Sequence, residues 1–283
     1  MCIGTPIAFY AAEELDMNAK ITSFITIIAA AGILTLASCA NPAAPRLGDP
    51  DEPDTGISAD PESGLVAGLD LEGDAILSNP DVIVSEGVEW TAGLSGNAMR
   101  GDEDGDYIRI ADEALPELTS SGTVEAWVNP ETNTAWAGIL HKGQEIDFSD
   151  ESWSLQYDGG KKPRFYLYGE SKSTYVTANL VLTTGEWHHL AAAWTVDESD
   201  ALTVTLYVNG VAEATKTVAD FGPVKDSAGD LIIGSQLPEP LTGGLASYGH
   251  VTFRGLIDVV RLYDVERSAA EIQADYDALA PAP

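Results

Sequence analysis

Four carboxylates crowd into the stretch KGQEIDFSDESW, residues 142–153: Glu145, Asp147, Asp150 and Glu151. Paired carboxyls are the machinery of glycoside hydrolysis. One attacks the sugar or activates water, and its protonated partner gives a proton to the leaving oxygen. In the retaining geometry the two stand ~5 Å apart, so something rigid must hold them. If Glu145 to Phe148 formed a strand, Glu145 and Asp147 would share one face. Trp136 and Trp153 flank the run and offer rings for a sugar. Trp136, Glu145, Asp147 and Trp153 are therefore candidate ligand contacts, whether or not any chemistry follows.

A second set of acids points to a cation. RGDEDGDYIRI places Asp102, Asp104 and Asp106 at alternate positions just before a strand pattern, and GLIDVV sets Asp258 among apolar neighbours. A lone ionised carboxylate in a buried strand is costly unless a cation or strong hydrogen bonds meet it. Ca²⁺ takes six to eight oxygens from carboxylates and loop carbonyls. Asp102, Asp106 and Asp258 are accordingly the expected Ca²⁺ ligands. The alternative is that Asp258 pairs with Arg261 or caps backbone amides. His188 and His189 fall on opposite faces of a strand, which fits structural roles, one ring packed and one nearer solvent. The cysteines, Cys2 and Cys39, both precede the body of the chain, and the four histidines lack the HExxH spacing. A disulfide framework and a zinc site are not expected.

The elements that must position these groups follow from composition and period. The chain has 283 residues, with 14 Lys and Arg against 45 Asp and Glu, a formal charge of −31. That argues against nucleic acid as a partner, since little here would neutralise phosphates, and against electrostatic docking on anionic lipid. Residues 21–36, ITSFITIIAAAGILTL, are apolar, follow Lys20, and lead into Leu36-Ala37-Ser38-Cys39. This resembles a bacterial lipoprotein signal. The resemblance implies cleavage before Cys39 and lipidation of that cysteine, so residues 1–39 read as a signal peptide, with Met17 the expected true start because Glu13, Glu14 and Asp16 precede it. Ala40 rather than Asp follows the cysteine, which implies the outer membrane where the host has one. Contact with the membrane would be through the lipid alone. Residues 40–63 are rich in Pro, Asp and Ser and read as a disordered tether.

From residue 64 to 283 the chain changes to short alternating runs, such as GTVEAWVNP, WSLQYD, PRFYLYG and LTVTLYVNG. Turn residues bound them. Asp158-Gly159-Gly160 and Asn209-Gly210 are hairpin signals. Many short strands predict an all-β sandwich or jelly roll of antiparallel sheets. Ser268-Ala269-Ala270-Glu271 has the spacing of a capping box, and Ile272, Tyr276 and Leu279 recur at helical intervals, so one short C-terminal helix is expected.

Five motifs in order carry a family resemblance: Thr123–Trp127 (TVEAW), Gly185–Ala191 (GEWHHLA), Leu206–Gly210 (LYVNG), Gly255–Tyr263 (GLIDVVRLY) and Ser268–Ile272 (SAAEI). Together they resemble the laminin-G-like, concanavalin A-like jelly-roll domains of secreted bacterial proteins. The resemblance implies a jelly roll of two antiparallel sheets over about residues 64–277, with Trp127, Trp187 and Trp194 in its core. That fold hosts lectins, adhesion modules and hydrolases alike. The acidic stretch also resembles the E-x-D-x-(x)-E strand of laminarinase- and lichenase-type glucanases. There, however, the acid/base would stand at 149 or, across a bulge, at 150, and those positions are Ser149 and Asp150. The match fails where the leaving group is protonated. The expectation is a non-catalytic cell-surface binding module for glycans or a surface protein. A glucanase-type hydrolase and a structural envelope protein are the alternatives.

Overall fold

The computed structural model describes residues 58–60, 62–102, 105–143, 150–236 and 252–281. Glu145, Asp147 and Cys39 lie outside the described residues, as does Asp104. The alternating runs form sixteen strands: β1 Ser58–Asp60, β2 Leu65–Leu69, β3 Val82–Val84, β4 Glu89–Ala92, β5 Asn97–Gly101, β6 Ile108–Ile110, β7 Ser121–Pro130, β8 Gly138–Gly143, β9 Glu151–Tyr157, β10 Pro163–Tyr168, β11 Ser173–Thr177, β12 His188–Val196, β13 Leu202–Val208, β14 Val211–Val218, β15 Leu231–Ile233 and β16 Gly255–Tyr263. Among the described residues, two α-helices, α1 at Gly73–Ser78 and α2 at Ala269–Leu279, and a short 3-10 turn at Asp112–Ala114 complete the list.

The strands form two sheets. In the first, the order is β1-β2-β16-β7-β12-β13-β14, with β5 on β16 and β4 on β5. In the second, the order is β11-β10-β9-β8-β15-β6-β3. Strand pairing in both sheets is antiparallel. The chain shuttles between sheets, as a jelly roll requires, so the expected fold stands.

Side-chain alternation explains the layers. In β10, Pro163, Phe165 and Leu167 turn inward while Arg164, Tyr166 and Tyr168 turn outward. Phe165 meets Trp194 of the opposite sheet at 5.6 Å between ring centroids. Fully burying each such side chain stabilises the fold by about 1.5–3 kcal/mol. Turn chemistry closes the hairpins: Asn209 and Gly210 both take positive φ, 52° and 77°, as a two-residue hairpin turn demands. At α2, Ser268 caps Glu271 N–H and the Glu271 carboxylate reaches back, a complete capping box. Ile272 then packs on Ala191, Ala193 and Tyr207 on the outer face of the first sheet. No helix among the described residues is long and apolar enough to cross a membrane.

Several expectations need correction. The first described strand, β1, lies inside the segment read as tether. Its Ser-Ala-Asp sequence carries no apolar period, and it is held to β2 by main-chain pairing and by the Ser58 hydroxyl, which donates to the Gly68 carbonyl at 3.3 Å. Trp187 is only half-buried and precedes β12 rather than lying in the core. Neither histidine of the pair is near solvent. His188 contacts the Thr183 carbonyl through Nε2 at 3.0 Å. His189 lies beside the stacked Trp127 and Tyr276, because α2 covers the face that alternation alone leaves open.

Candidate ligand-binding face

The outward half of β10 and β11 builds a cluster of rings around one guanidinium. The register sets Tyr166 opposite Tyr175 and Arg164 opposite Thr177. Side chains facing across an antiparallel pair interact directly. Arg164 Nε donates to Thr177 Oγ1 at 2.8 Å, and Nη1 donates to Tyr166 Oη at 3.0 Å. Nη2 pairs with Asp158 Oδ2 at 3.1 Å. The guanidinium carbon lies 4.3 Å from the centroid of Tyr175, 5.6 Å from Tyr166 and 5.8 Å from Trp136. Tyr166 in turn stacks on Tyr168, with centroids 6.0 Å apart.

Asp158 fixes the hairpin beneath this cluster. Its Oδ1 accepts the amides of Gly160 and Lys162 at 2.7 and 3.0 Å, while Oδ2 holds Arg164. Trp136 arrives from the β7–β8 connection and lies over Gly159, where a Cβ would stand 2.9 Å from its Cζ2. Trp136 has φ +67°, a left-handed backbone that costs a bulky residue on the order of 1–3 kcal/mol. It is also 45% exposed, and Tyr175 is 46% exposed. Strain and apolar exposure at one residue both oppose folding, and such outliers collect where a ligand is held. Exposed ring faces beside fixed polar groups suit a ligand with C–H-rich faces and hydroxyls.

The remaining candidates are dispersed. Trp153 is buried. Parity with Leu155 and Tyr157 turns it into the core, 3% exposed and against Phe165. Asp150 pairs with Lys225 at 2.7 Å and accepts from Ser227 Oγ. Glu151 is buried at the start of β9, and burial raises its carboxyl above the usual range.

The expected cation ligands have separate protein partners. Asp102 pairs with Arg100 at 2.8 Å, and Asp106 Oδ2 accepts the Asp102 amide at 2.9 Å. Asp258 lies apart from them: Oδ2 accepts the amides of Leu94 and Ser95, and Oδ1 accepts that of Val259. Among the described residues, no three His, Cys, Asp or Glu side chains gather as a metal set. Arg261 turns to Asp275.

Further along the outward row from Tyr175, Tyr166 and Ser154 stands His141. It is 2% exposed, and neither ring nitrogen has a hydrogen-bond partner among the described residues. Burial, with the Lys142 ammonium adding to it, lowers its imidazole to about 4. Above that pH the ring is neutral.

The two antiparallel sheets define a jelly-roll class, and the comparisons agree on that fold. The sequence profile of the concanavalin A-like lectin/glucanases superfamily matches residues 102–273, and the chain belongs to that family. Among solved structures, the binding domain of Paraclostridial Mosquitocidal Protein 1 is similar, with TM-score 0.55 and 16% identity over 77% of this chain and 52% of that one. The botulinum neurotoxin serotype D ligand-binding domain in complex with N-acetylneuraminic acid gives 0.53 and 16%, over 75% and 48%. The receptor-binding domain of the botulinum neurotoxin C/D mosaic serotype gives 0.55 and 16%, over 76% and 51%. The chain spans about half the length of these structures, and the likeness is one of fold. A search among curated proteins finds no match.

Proposed function

We propose that the chain is a non-catalytic glycan-binding module whose ligand lies across Trp136, Tyr166 and Tyr175, oriented by the Arg164–Asp158 pair. The observation that carries this reading is Trp136, strained at φ +67° and exposed, beside a ring cluster locked around Arg164. Support comes from a family that includes lectins and from similar structures that are binding domains. The test is a glycan array with the full chain, followed by titration of the best ligand. Trp136→Ala and Tyr175→Ala should each weaken binding about 10- to 100-fold, with near-UV circular dichroism unchanged. An array on which the wild type retains no glycan would sink the proposal. So would hydrolysis of a β-glucan that Glu145→Gln abolishes, since it would make the module an enzyme.

We also propose that the module is displayed from a bacterial envelope through lipid on Cys39. The support is the apolar run ending in Leu36-Ala37-Ser38-Cys39. Labelled palmitate should enter the wild type and not Cys39→Ala. A wild type without label overturns the anchor.

A further inference from the structure

The charge around the ring cluster narrows the ligand class, on the premise that this cluster is the binding face. The chain as a whole is net −31. Among the described residues, cations gather at the cluster. Lys161 and Lys162 sit on the hairpin that Asp158 closes, Lys161 exposed and Lys162 partly so. Parity puts Lys162 in the outward column with Arg164, Tyr166 and Tyr168. Lys216 reaches over from β14, the edge of the other sheet, to 5.4 Å from the Tyr175 ring.

These cations are not there to neutralise nearby acids. Asp158 is already taken by Arg164 and two amides. Among the described residues, the ammonium groups of Lys161, Lys162 and Lys216 enter no ion pair, whereas Lys142 and Lys225 each hold an aspartate. A polyanion is repelled by most of this surface, so a local cationic rim around exposed rings selects where it would land.

We propose that the ligand is an acidic glycan. Its sugar rings rest on Trp136 and Tyr175, and its carboxylate or sulfate groups meet Lys161, Lys162 and Lys216. Each of these ammonium groups offers three donors to the anion.

The experiment pairs charged and neutral polymers of one backbone. Binding of the full chain is measured to polygalacturonate against its methyl ester, and to dextran sulfate against dextran, at low and high salt. The charged member of at least one pair should bind at least tenfold more tightly than its neutral mate. That affinity should fall as salt rises. The pair that responds tells carboxylate from sulfate. The combined variant Lys161→Gln, Lys162→Gln, Lys216→Gln should lose at least tenfold of it. Trp136→Ala should lose it too, which separates a glycan site from indiscriminate attraction to lysines. Equal, salt-independent binding of neutral and charged polymers would overturn the acidic ligand and leave the glycan-binding proposal standing. Undiminished acidic-polymer binding by the triple variant would overturn the acidic ligand as well. Retention of no glycan of either kind would overturn both.

Discussion

Asp258→Ala should lower stability by about 3 kcal/mol, a fall of roughly 6–12 °C in Tm. The carboxylate has no solvent exposure. It accepts Leu94 N–H at 2.8 Å, Ser95 N–H at 3.0 Å and Val259 N–H at 2.8 Å. Alanine leaves those amides without their acceptor, at about 1–3 kcal/mol for each that stays dry. Ser95 is exposed and regains water, so its share is small. Val259 sits in the bulge of β16 at φ +48°, an outlier for a β-branched residue, and its bond to Asp258 helps hold it there. The same carboxylate ties the turn between β4 and β5 to β16, so amide exchange across 89–101 should quicken. Asp258→Asn keeps one acceptor oxygen and should lose less. Three of about four acceptor positions on the carboxylate are already filled. Millimolar Ca²⁺ should therefore leave the melting curve where it was. A Ca²⁺-dependent rise in Tm that disappears in Asp258→Asn would show that the amide clasp is not the whole account of this acid. An Asp258→Ala variant that melts with the wild type would show that the amides have other acceptors.

The parts of this fold that were legible in the sequence are those written locally. Asn209-Gly210, the Asp158 hairpin and the Ser268–Glu271 box each state their geometry within four residues, and the structure has all three. The elements that escaped are held by main chain or by partners distant in sequence. β1 offers no apolar period, and α1 is a six-residue helix too short to show one. The proposed binding face was half legible. Trp136 was visible as an aromatic near the acids, but Trp153 carried the same signal. Only the parity of β9, fixed by Leu155 and Tyr157, sends one ring inward. Arg164, Tyr166 and Tyr175 were within reach, because P-R-F-Y-L-Y and S-T-Y-V-T alternate openly. What linked them was the β10–β11 register, which brings Tyr166 opposite Tyr175. Asp258 was flagged for the right reason, the cost of a buried charge. Two of its three partners lie more than 160 residues away, and all three are backbone amides, which no side-chain pattern announces.

Two buried groups should give the fold opposite responses to acid, and removing either should expose the other. Burial lowers His141 from 6.5 to about 4. Between those values the unfolded chain binds a proton that the folded chain does not, so this residue makes stability rise with pH. Burial raises Asp258 from 3.8 to about 6, against the pull of its three amides. Between those values the folded chain binds the extra proton, so this residue makes stability fall as pH rises. Each shift corresponds to on the order of 3 kcal/mol, and the two windows overlap from about pH 4 to 6. In the wild type the contributions largely offset there. Urea unfolding at steps across that range should separate them. Relative to the wild type, His141→Gln should gain stability toward pH 4, because the protonation it avoids is the unfavourable one. Asp258→Asn should do the reverse and lose ground toward pH 4, on top of a pH-independent cost for its missing acceptor. The difference between the variants should change by several kcal/mol from pH 4 to 6. Curves for both variants that run parallel to the wild type would mean that neither group titrates differently in the folded chain.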